Sequence, residues 1–581
     1  MRGSMRGGAR ESRMISEKSE PVFDIVVVGS GAGGMTAAIR AADLGASVLM
    51  VEKASAYGGT SATSGGGLWI PCNHLMPDVG IDDDRDSAMA YMRALAGNDV
   101  PEANIAAFVD TGHEMLRWLH EATEVRYVAM EHYADYYQEQ PGSRTGGRSI
   151  DPLPYDARRL GGEFAAMQAQ HRQVRVMGLM GYTNSEGAIL LSKAPGWRKV
   201  IARLVWRYAS DVPGRLRSLR SRRLTMGNAL VGGLRKAMLD RCIPLWLDSP
   251  AGALRLDQGR VTGVKVTRRG RPLTITARKA VILASGGFEH DQALREAHLP
   301  KPTDERWSAA SPANRGDMLR AVQAIGAATH LLDEAWWSPT ITLPGEDRAR
   351  ALFTERSMPG AIVVNRAGQR FFNESTAYTA AAQAMFAPGN LPAYLLFDAR
   401  YRREYPFGPL LPGGMHLDWL QKRSVRRGLL TQAPSLGALA TQLGIAPAAL
   451  EATVARFNGF ARAGRDEDFQ RGENSYDLIY GDVRISPNPC LAPLAEPPFY
   501  GIEIHAGDIG TKGGIACDEN AQVLGSTGGP IPGLYAIGNV SASVTGRYYP
   551  GAGATLGPAM TFGYRAASHV CGAPTEAGGI R

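Results

Sequence analysis

Residues 23–53 read FDIVVVGSGAGGMTAAIRAADLGASVLMVEK, and the order of the parts decides the fold. The run DIVVV is β-branched and apolar on both faces, as a strand buried inside a parallel sheet requires. Gly29-Ser-Gly31-Ala-Gly33-Gly34 follows and contains G-x-G-x-x-G. MTAAIRAADL then carries apolar residues at helical spacing up to Gly45, and a second strand, SVLMV, ends on Glu52. A lone glycine fingerprint is weak, but strand, glycines, helix, strand and terminal acid in this order point to a Rossmann-like dinucleotide site. Gly29 permits the tight turn, Gly31 lets a pyrophosphate reach the backbone, and Gly34 lets helix and strand pack closely. The phosphates face the helix N-terminus at Ala32 and Gly33. Glu52 accepts hydrogen bonds from a ribose diol and repels the extra phosphate of NADP.

The continuation, KASAYGGTSATSGGGLWIP from Lys53, separates the candidate dinucleotides. A nicotinamide dehydrogenase does not usually insert a second glycine-serine cradle after its acidic strand, whereas flavoproteins do. Gly58, Gly59, Thr60, Ser61, Ser64, Gly65 and Gly66 supply backbone and hydroxyl donors along an extended FAD, with Lys53 at its start. The run holds no histidine to tether a flavin, so the FAD is expected to be non-covalent. Two later pieces agree: KAVILASGGFEHD, a strand running into Ser285 and Gly286, and GLYAIGN, a strand ending at Gly538 and Asn539. Near residue 550, Gly557, Pro558 and Ala559 read as a helix start that faces the flavin ring.

At 581 residues the chain exceeds one ordinary core, and two or more domains are expected. With 44% hydrophobic and 21% charged residues it reads as globular. Five cysteines, Cys72, Cys242, Cys490, Cys517 and Cys571, stand far apart, which suits neither a disulfide framework nor a metal site. A reducing, cytoplasmic setting follows, with no metal and no intrinsic iron–sulfur relay. Residues 1–21 form a polar leader expected to be disordered. A discontinuous FAD-binding domain is placed at 22–302 and 489–575, around a catalytic domain at 303–488, with proline-rich crossings between them. The fold class is α/β: a Rossmann-like, glutathione-reductase-like FAD domain, an inserted α+β catalytic domain and a basic amphipathic helical insertion.

The stretch YYPGAGATLGPAM from Tyr548 sets two phenols beside a bare backbone. Such a turn either punctuates the surface or offers donors to a carbonyl oxygen, and its own residues leave both readings open.

Together with the fingerprint, SGGGLWIP and GLYAIGN…YYPGAGATLGPAMTFGYRAA, this stretch resembles the flavoprotein family that includes fumarate reductases and 3-ketosteroid dehydrogenases. The segments HYADYYQEQPGSRTGGRSIDPLPYDARRLG from His132 and VNRAGQRFFNESTAYTAAAQAMF from Val364 bring the resemblance closest to the 3-ketosteroid Δ1-dehydrogenases. The resemblance implies loss of hydrogen from carbons 1 and 2 of a 3-oxosteroid and hydride transfer to FAD. It implies that Tyr549 and the N–H of Gly553 hold the 3-oxo oxygen, that Tyr378 is the base at carbon 2, and that Tyr136 assists it. Electrons then leave to a quinone or a partner protein. A dehydrogenase acting at carbons 4 and 5 (a 3-oxo-5α-steroid 4-dehydrogenase), a fumarate-reductase-like enzyme and a flavin-containing carrier without turnover are the alternatives. The fumarate reading requires an arginine acid and a cationic pocket, where the matched segments offer tyrosines.

The formal charge of +8 is concentrated. Residues 178–224 hold ten cations, Lys193, Arg198, Lys199, Arg203, Arg207, Arg215, Arg217, Arg220, Arg222 and Arg223, against Glu186 and Asp211, so this segment carries the whole excess. Trp197, Val200, Ile201, Leu204, Val205 and Tyr208 recur between them at helical spacing. No run approaches the length of a spanning helix. The pattern fits an interfacial helix with cations toward anionic headgroups, giving peripheral contact with the inner face of the cell membrane through residues 183–220. The insertion, with the chain length, resembles the membrane-associated cholest-4-en-3-one Δ1-dehydrogenase type. No nucleic-acid-binding module accompanies the charge, and no nucleic-acid partner is expected.

Overall fold

The computed structural model describes residues 20–410, 412–413 and 429–574. The polar leader expected over 1–21 lies, up to residue 19, outside these.

The first sheet begins with β1 (Val22–Val28), followed by α1 (Ala32–Asp43) and β2 (Val48–Val51). Four later strands join it: β3 (Leu245–Trp246), β4 (Ala251–Asp257), β5 (Arg260–Arg268) and β6 (Arg271–Leu283), in the order β3-β2-β1-β6-β5-β4. The inner pairs are parallel, with Val26 opposite Val281 and Val28 opposite Leu283. Alternation splits each strand between two cores. Ile25, Val27, Val48 and Met50 pack on the α1 side, while Val26, Val28, Leu49 and Val51 pack on the opposite one. Covered on both faces, these strands must be apolar throughout, which is why DIVVV and SVLMV read as unbroken runs.

A long helix, α2 (Glu102–Ala122), supports the α1 side. The basic excursion comes next, as α3 (Asn184–Leu191) and α4 (Trp197–Ser210). A capping box starts α3: Thr183 Oγ1 accepts from the Glu186 N–H, and Glu186 accepts from the Thr183 N–H. Among the described residues no helix is long and apolar enough to cross a membrane.

The second sheet is antiparallel. It contains β7 (Ala335–Ile341), β8 (Arg350–Ala351), β9 (Ala361–Asn365), β10 (Ala393–Phe397), β11 (Thr431–Ala433) and β12 (Phe499–Thr511). Its order is β8-β7-β12-β10-β9, with β11 also on β12. The helix α5 (Tyr378–Met385) packs on β7. Because β12 pairs with β7 and β10, the backbone keeps this stretch in the second sheet. Residues 499–511, which the sequence reading puts after the return crossing, thus pair within the second sheet. Beyond them, β13 (Gln522–Leu524) and β14 (Pro530–Ala536) rejoin the first sheet, β14 lying parallel to β6, and α6 (Leu556–Val570) packs across α1 and α2.

Candidate active site

The carboxyl ends of β1, β2, β6 and β14 open on one side of the first sheet, where ligands of such sheets bind. They border a cavity of about 390 Å³ that continues between the two sheets. Gly29, Gly31, Ala32, Gly33 and Gly34 line it, with Glu52 and Lys53 after β2. The second glycine-serine run adds Gly59, Thr60, Ser61, Ser64, Gly65 and Gly66. Ser285 and Gly286 follow β6, Gly538 and Asn539 follow β14, and Ala559 comes from the first turn of α6.

Three expected cofactor residues stand one layer behind. Gly58 donates its N–H to Ser30 Oγ at 3.0 Å and faces Ala62 and Val231. Gly557 lies against the Trp69 carbonyl, and Pro558 borders a separate small cavity. Their tasks are the turn and the packing of the helix start.

Several observations fit this wall to an FAD. Gly31 caps α1 without a side-chain bond, and no acid stands in the first turn, so the positive end of the helix dipole faces the cavity. A Cβ on Gly31 would meet only Ser61 Oγ at 3.4 Å, so the protein itself leaves room there. On Gly33 a Cβ would meet the Ala559 carbonyl at 2.6 Å, and on Gly34 the Gly29 carbonyl at 2.5 Å. Those two glycines bring α6 and the turn into contact, and Gly31 leaves its space to a ligand.

Glu52 is buried and held from several sides. Its Oε2 accepts from the Ser30 N–H at 3.0 Å and from Ser30 Oγ at 2.6 Å, and its Oε1 accepts from the Ala54 N–H at 2.9 Å. Ser30 occupies an unspecified position of the fingerprint, which is why its part was not legible in the motif. Asn314 was missed as well. Its Nδ2 donates to Thr60 Oγ1 at 3.2 Å and to the buried Glu289 at 2.6 Å, fixing a polar edge of the cavity.

Across from the glycines, three phenols converge from distant segments. Tyr136 Oη donates to Tyr378 Oη at 3.4 Å. The Tyr136 ring stacks on that of Tyr549 at 5.3 Å, and Tyr378 meets Tyr549 edge-on at 5.4 Å. Tyr136, Tyr378, Tyr549 and Gly553 all line the cavity. Tyr549 is 3% exposed and Tyr548 is 41% exposed, so the turn sends the second phenol inward and the first outward.

Each phenol is fixed from behind. Tyr378 opens α5 just after a buried ion network in which Arg370 bridges Glu374 at 2.7 Å and Asp466 at 2.8 Å, with Arg471 also on Glu374. Tyr136 follows buried Asp135, which pairs with Arg148 at 2.8 Å and accepts from Trp69 Nε1 at 2.8 Å. The Tyr136 N–H and Tyr91 Oη both donate to the Pro550 carbonyl, at 2.9 Å and 2.8 Å. Lys512 Nζ and Thr545 Oγ1 donate to the Tyr548 carbonyl, at 2.6 Å and 2.9 Å. The carbonyls of the residues on either side of Tyr549 are thus pinned.

Gly553 has φ +102°, and a Cβ there would lie 2.4 Å from Leu68 C, so only glycine fits. Its N–H is directed at the Tyr549 hydroxyl, as is Thr555 Oγ1 at 3.0 Å. Burial raises the pKa of all three phenols, of Tyr136 and Tyr378 far above the ordinary range. The bond from Tyr136 acts in the opposite direction on Tyr378. Phe353 lines the cavity beside Tyr378 and Tyr476 packs on Tyr136, and neither was legible in the sequence.

The basic excursion contributes to the same cavity through Asn184, Gly187, Ala188 and Leu191 of α3. Its apolar face differs from the periodic reading. Val200 and Leu204 are buried against Met180, Tyr182 and Ile189, so that stripe of α4 packs on its own protein. The exposed apolar groups are instead Trp206 (72%), Leu216 (84%) and Leu219 (69%), with Met177, Val205 and Val212.

A family model described as FAD binding domain matches residues 24–556. The 3-oxosteroid 1-dehydrogenase of Mycobacterium tuberculosis (strain ATCC 25618 / H37Rv) is 41% identical over 566 residues, covering 94% of this chain and 98% of that protein. The 3-oxosteroid 1-dehydrogenase of Comamonas testosteroni is 38% identical, covering 96% and 98%. The crystal structure of 3-ketosteroid delta1-dehydrogenase from Sterolibacterium denitrificans in complex with 1,4-androstadiene-3,17-dione superposes with a TM-score of 0.91 at 45% identity, over 95% of this chain and 99% of that one.

Proposed function

The chain belongs to the FAD binding domain family and, within it, to the 3-ketosteroid Δ1-dehydrogenases, and from that premise we propose that it desaturates carbons 1 and 2 in ring A of a 3-oxosteroid. The observation that carries the reading is the meeting of Tyr136, Tyr378, Tyr549 and Gly553 on one wall of the cavity whose opposite wall is the glycine cradle.

FAD, when bound, would supply the hydride acceptor for carbon 1; the chain's own groups handle the oxygen and the proton. Tyr549 Oη and the Gly553 N–H donate to the 3-oxo oxygen and stabilise the charge that develops there as the neighbouring carbon–hydrogen bond breaks. One such donor is typically worth about 2.7–4 kcal/mol of barrier. Tyr378 takes the proton from carbon 2, and Tyr136 donates to the Tyr378 oxygen and relays charge away from it. The apolar and aromatic lining excludes water, which strengthens each of these interactions. Gly31, Gly33, Ser61 and the α1 N-terminus would hold the pyrophosphate, and Glu52 with Ser30 would hold the adenosine ribose.

The excursion is assigned to a membrane surface of anionic lipid. Its exposed Trp206, Leu216 and Leu219 stand among Arg203, Arg207 and Arg217, the pairing that suits acyl chains beneath charged headgroups. Because α3 of the same excursion is also a wall of the cavity, a sterol can pass from bilayer to site along the excursion. The electron acceptor is a quinone or a partner protein.

Anaerobic addition of androst-4-ene-3,17-dione to the yellow protein tests the assignment. Loss of the oxidised-flavin absorbance, with a 1,4-diene as product, is expected. An unbleached flavin, or desaturation only at carbons 4 and 5 of a 5α-saturated steroid, would overturn it.

A further inference from the structure

Lys512 is fully buried in the loop after β12. Among the described residues its one side-chain hydrogen bond is the 2.6 Å contact from Nζ to the Tyr548 carbonyl, and the ammonium stands 4.4 Å from the centre of the Trp336 ring. Among the same residues no carboxylate pairs with it within 4 Å: the nearby Glu334 is occupied by Trp337 Nε1 at 2.9 Å and Arg547 at 2.8 Å. An ammonium has three donors, and a buried cation with a single neutral partner is unfavourable unless something compensates its charge.

The surroundings show where that compensation can come from. Lys512 borders a cavity of about 30 Å³ whose other walls include Gly538, Asn539, Thr555 and Ala559. Those four residues also line the main cavity, so one layer of backbone separates the ammonium from the flavin side. Trp336 lies between: its ring faces Lys512, meets Tyr549 edge-on at 4.9 Å, and its Nε1 donates to Asn539 Oδ1 at 3.1 Å.

We propose that Lys512 is the counter-cation of the active site, compensating the negative charge gained on reduction while its grip on Tyr548 and Trp336 positions Tyr549. A hydride brings two electrons and one proton to the flavin, so one negative charge is added to the flavin itself. The carbon-2 proton departs separately to Tyr378. A cation one layer behind the cradle favours the reduced form and raises the flavin potential. Burial lowers the Lys512 pKa to about 7, with Glu334 acting to raise it and Arg547 to lower it further, so the free site holds the ammonium only weakly and an added negative charge holds it firmly. The role rests on the flavin assignment above.

The test is a dye-equilibrated reductive titration of the holoenzyme at neutral pH, on the parent and three variants. Lys512→Arg keeps charge and hydrogen bond, Lys512→Gln keeps only the bond, and Lys512→Met keeps neither. The glutamine and methionine variants are expected to stay yellow and to lower the two-electron reduction constant at least tenfold, about 30 mV in potential. The arginine variant is expected to stay near the parent. An unchanged constant in both neutral variants overturns the proposal, as does an equal fall in all three. Loss of flavin from both neutral variants but not from the arginine one also overturns it, since Lys512 would then serve binding of the oxidised cofactor. A colourless parent would instead refute the flavin reading itself.

Discussion

Tyr136 and Tyr378 stand 242 positions apart in the chain, yet their hydroxyls meet at 3.4 Å inside one cavity, the first donating to the second. The bond fixes which oxygen is free to take a proton. It also links the first-sheet domain, which holds Tyr136, to the helix of the second-sheet domain that begins at Tyr378.

Tyr378→Phe removes the base and leaves the aromatic packing against Phe353 and Tyr136. Turnover is expected to fall about 10²–10⁴-fold, the usual contribution of a positioned base, with the flavin spectrum unchanged. Near-parent turnover in a stopped-flow assay would remove Tyr378 from the mechanism.

The pH dependence follows from burial, which pushes the Tyr378 phenol far up. The reactive form is the phenolate, so activity is expected to rise with pH through and above neutrality and to be lost as pH falls. Tyr136→Phe deletes the bond that acts against burial. Its rate profile should move to higher pH, with turnover near neutrality down about tenfold, the scale of one hydrogen bond. A profile that stays in place would show that Tyr136 does not tune the base.

Tyr549→Phe removes one donor to the ketone oxygen and is expected to lower kcat about 10²–10³-fold. Gly553→Ala should cost at least as much. Its Cβ would strike Leu68 C at 2.4 Å and force the backbone from φ +102°, carrying the N–H off target. Steady-state kinetics with flavin content measured in parallel separate these effects from cofactor loss.

Two adjacent glycines should fail differently. Gly31→Ala meets no backbone, and the protein is expected to fold with the thermal stability of the flavin-free parent but to purify with little flavin. In Gly33→Ala the Cβ meets the Ala559 carbonyl at 2.6 Å, so the contact of α1 with α6 opens and the melting temperature falls too. Calorimetry with and without added FAD distinguishes the two.

Deleting residues 183–220 would remove a wall of the cavity along with the basic face, so membrane contact is better tested on single side chains. Joint replacement of Trp206, Leu216 and Leu219 by serine touches only exposed groups. It should release the protein from anionic vesicles in a flotation assay without lowering its melting temperature. Binding that survives it would reject the lipid assignment.

The cradle was legible because its information is local. The turn, the helix start and the acid lie within residues 29–52, and each residue type answers to a backbone requirement close by in sequence. The phenols were legible only through a family resemblance, since nothing in YADYY or NESTAY states that the two segments meet. The groups behind them, Trp336, Lys512, Asn314 and Phe353, carry no spacing of their own. Helical periodicity marked Val200 and Leu204 on α4 but not what covers them, because Met180 and Ile189 come from separate segments of the excursion. Prolines mark where a chain can turn, whereas the pairing of β12 with β7 and β10 is a long-range contact that no proline announces.

The position of α6 also bears on how the protein is made. The cradle's first strand emerges from the ribosome at Val22, but the helix that closes over it, and whose Ala559 touches Gly33, begins only at Leu556. Until that helix docks, the α1 face that holds Gly33 and Arg40 has no cover from this side. A nascent chain must therefore carry an unfinished nucleotide pocket and an open apolar seam through most of its synthesis. Flavin supply can act on folding only at the last step, and truncation of the helix should yield chaperone-bound or degraded protein rather than a partly active enzyme.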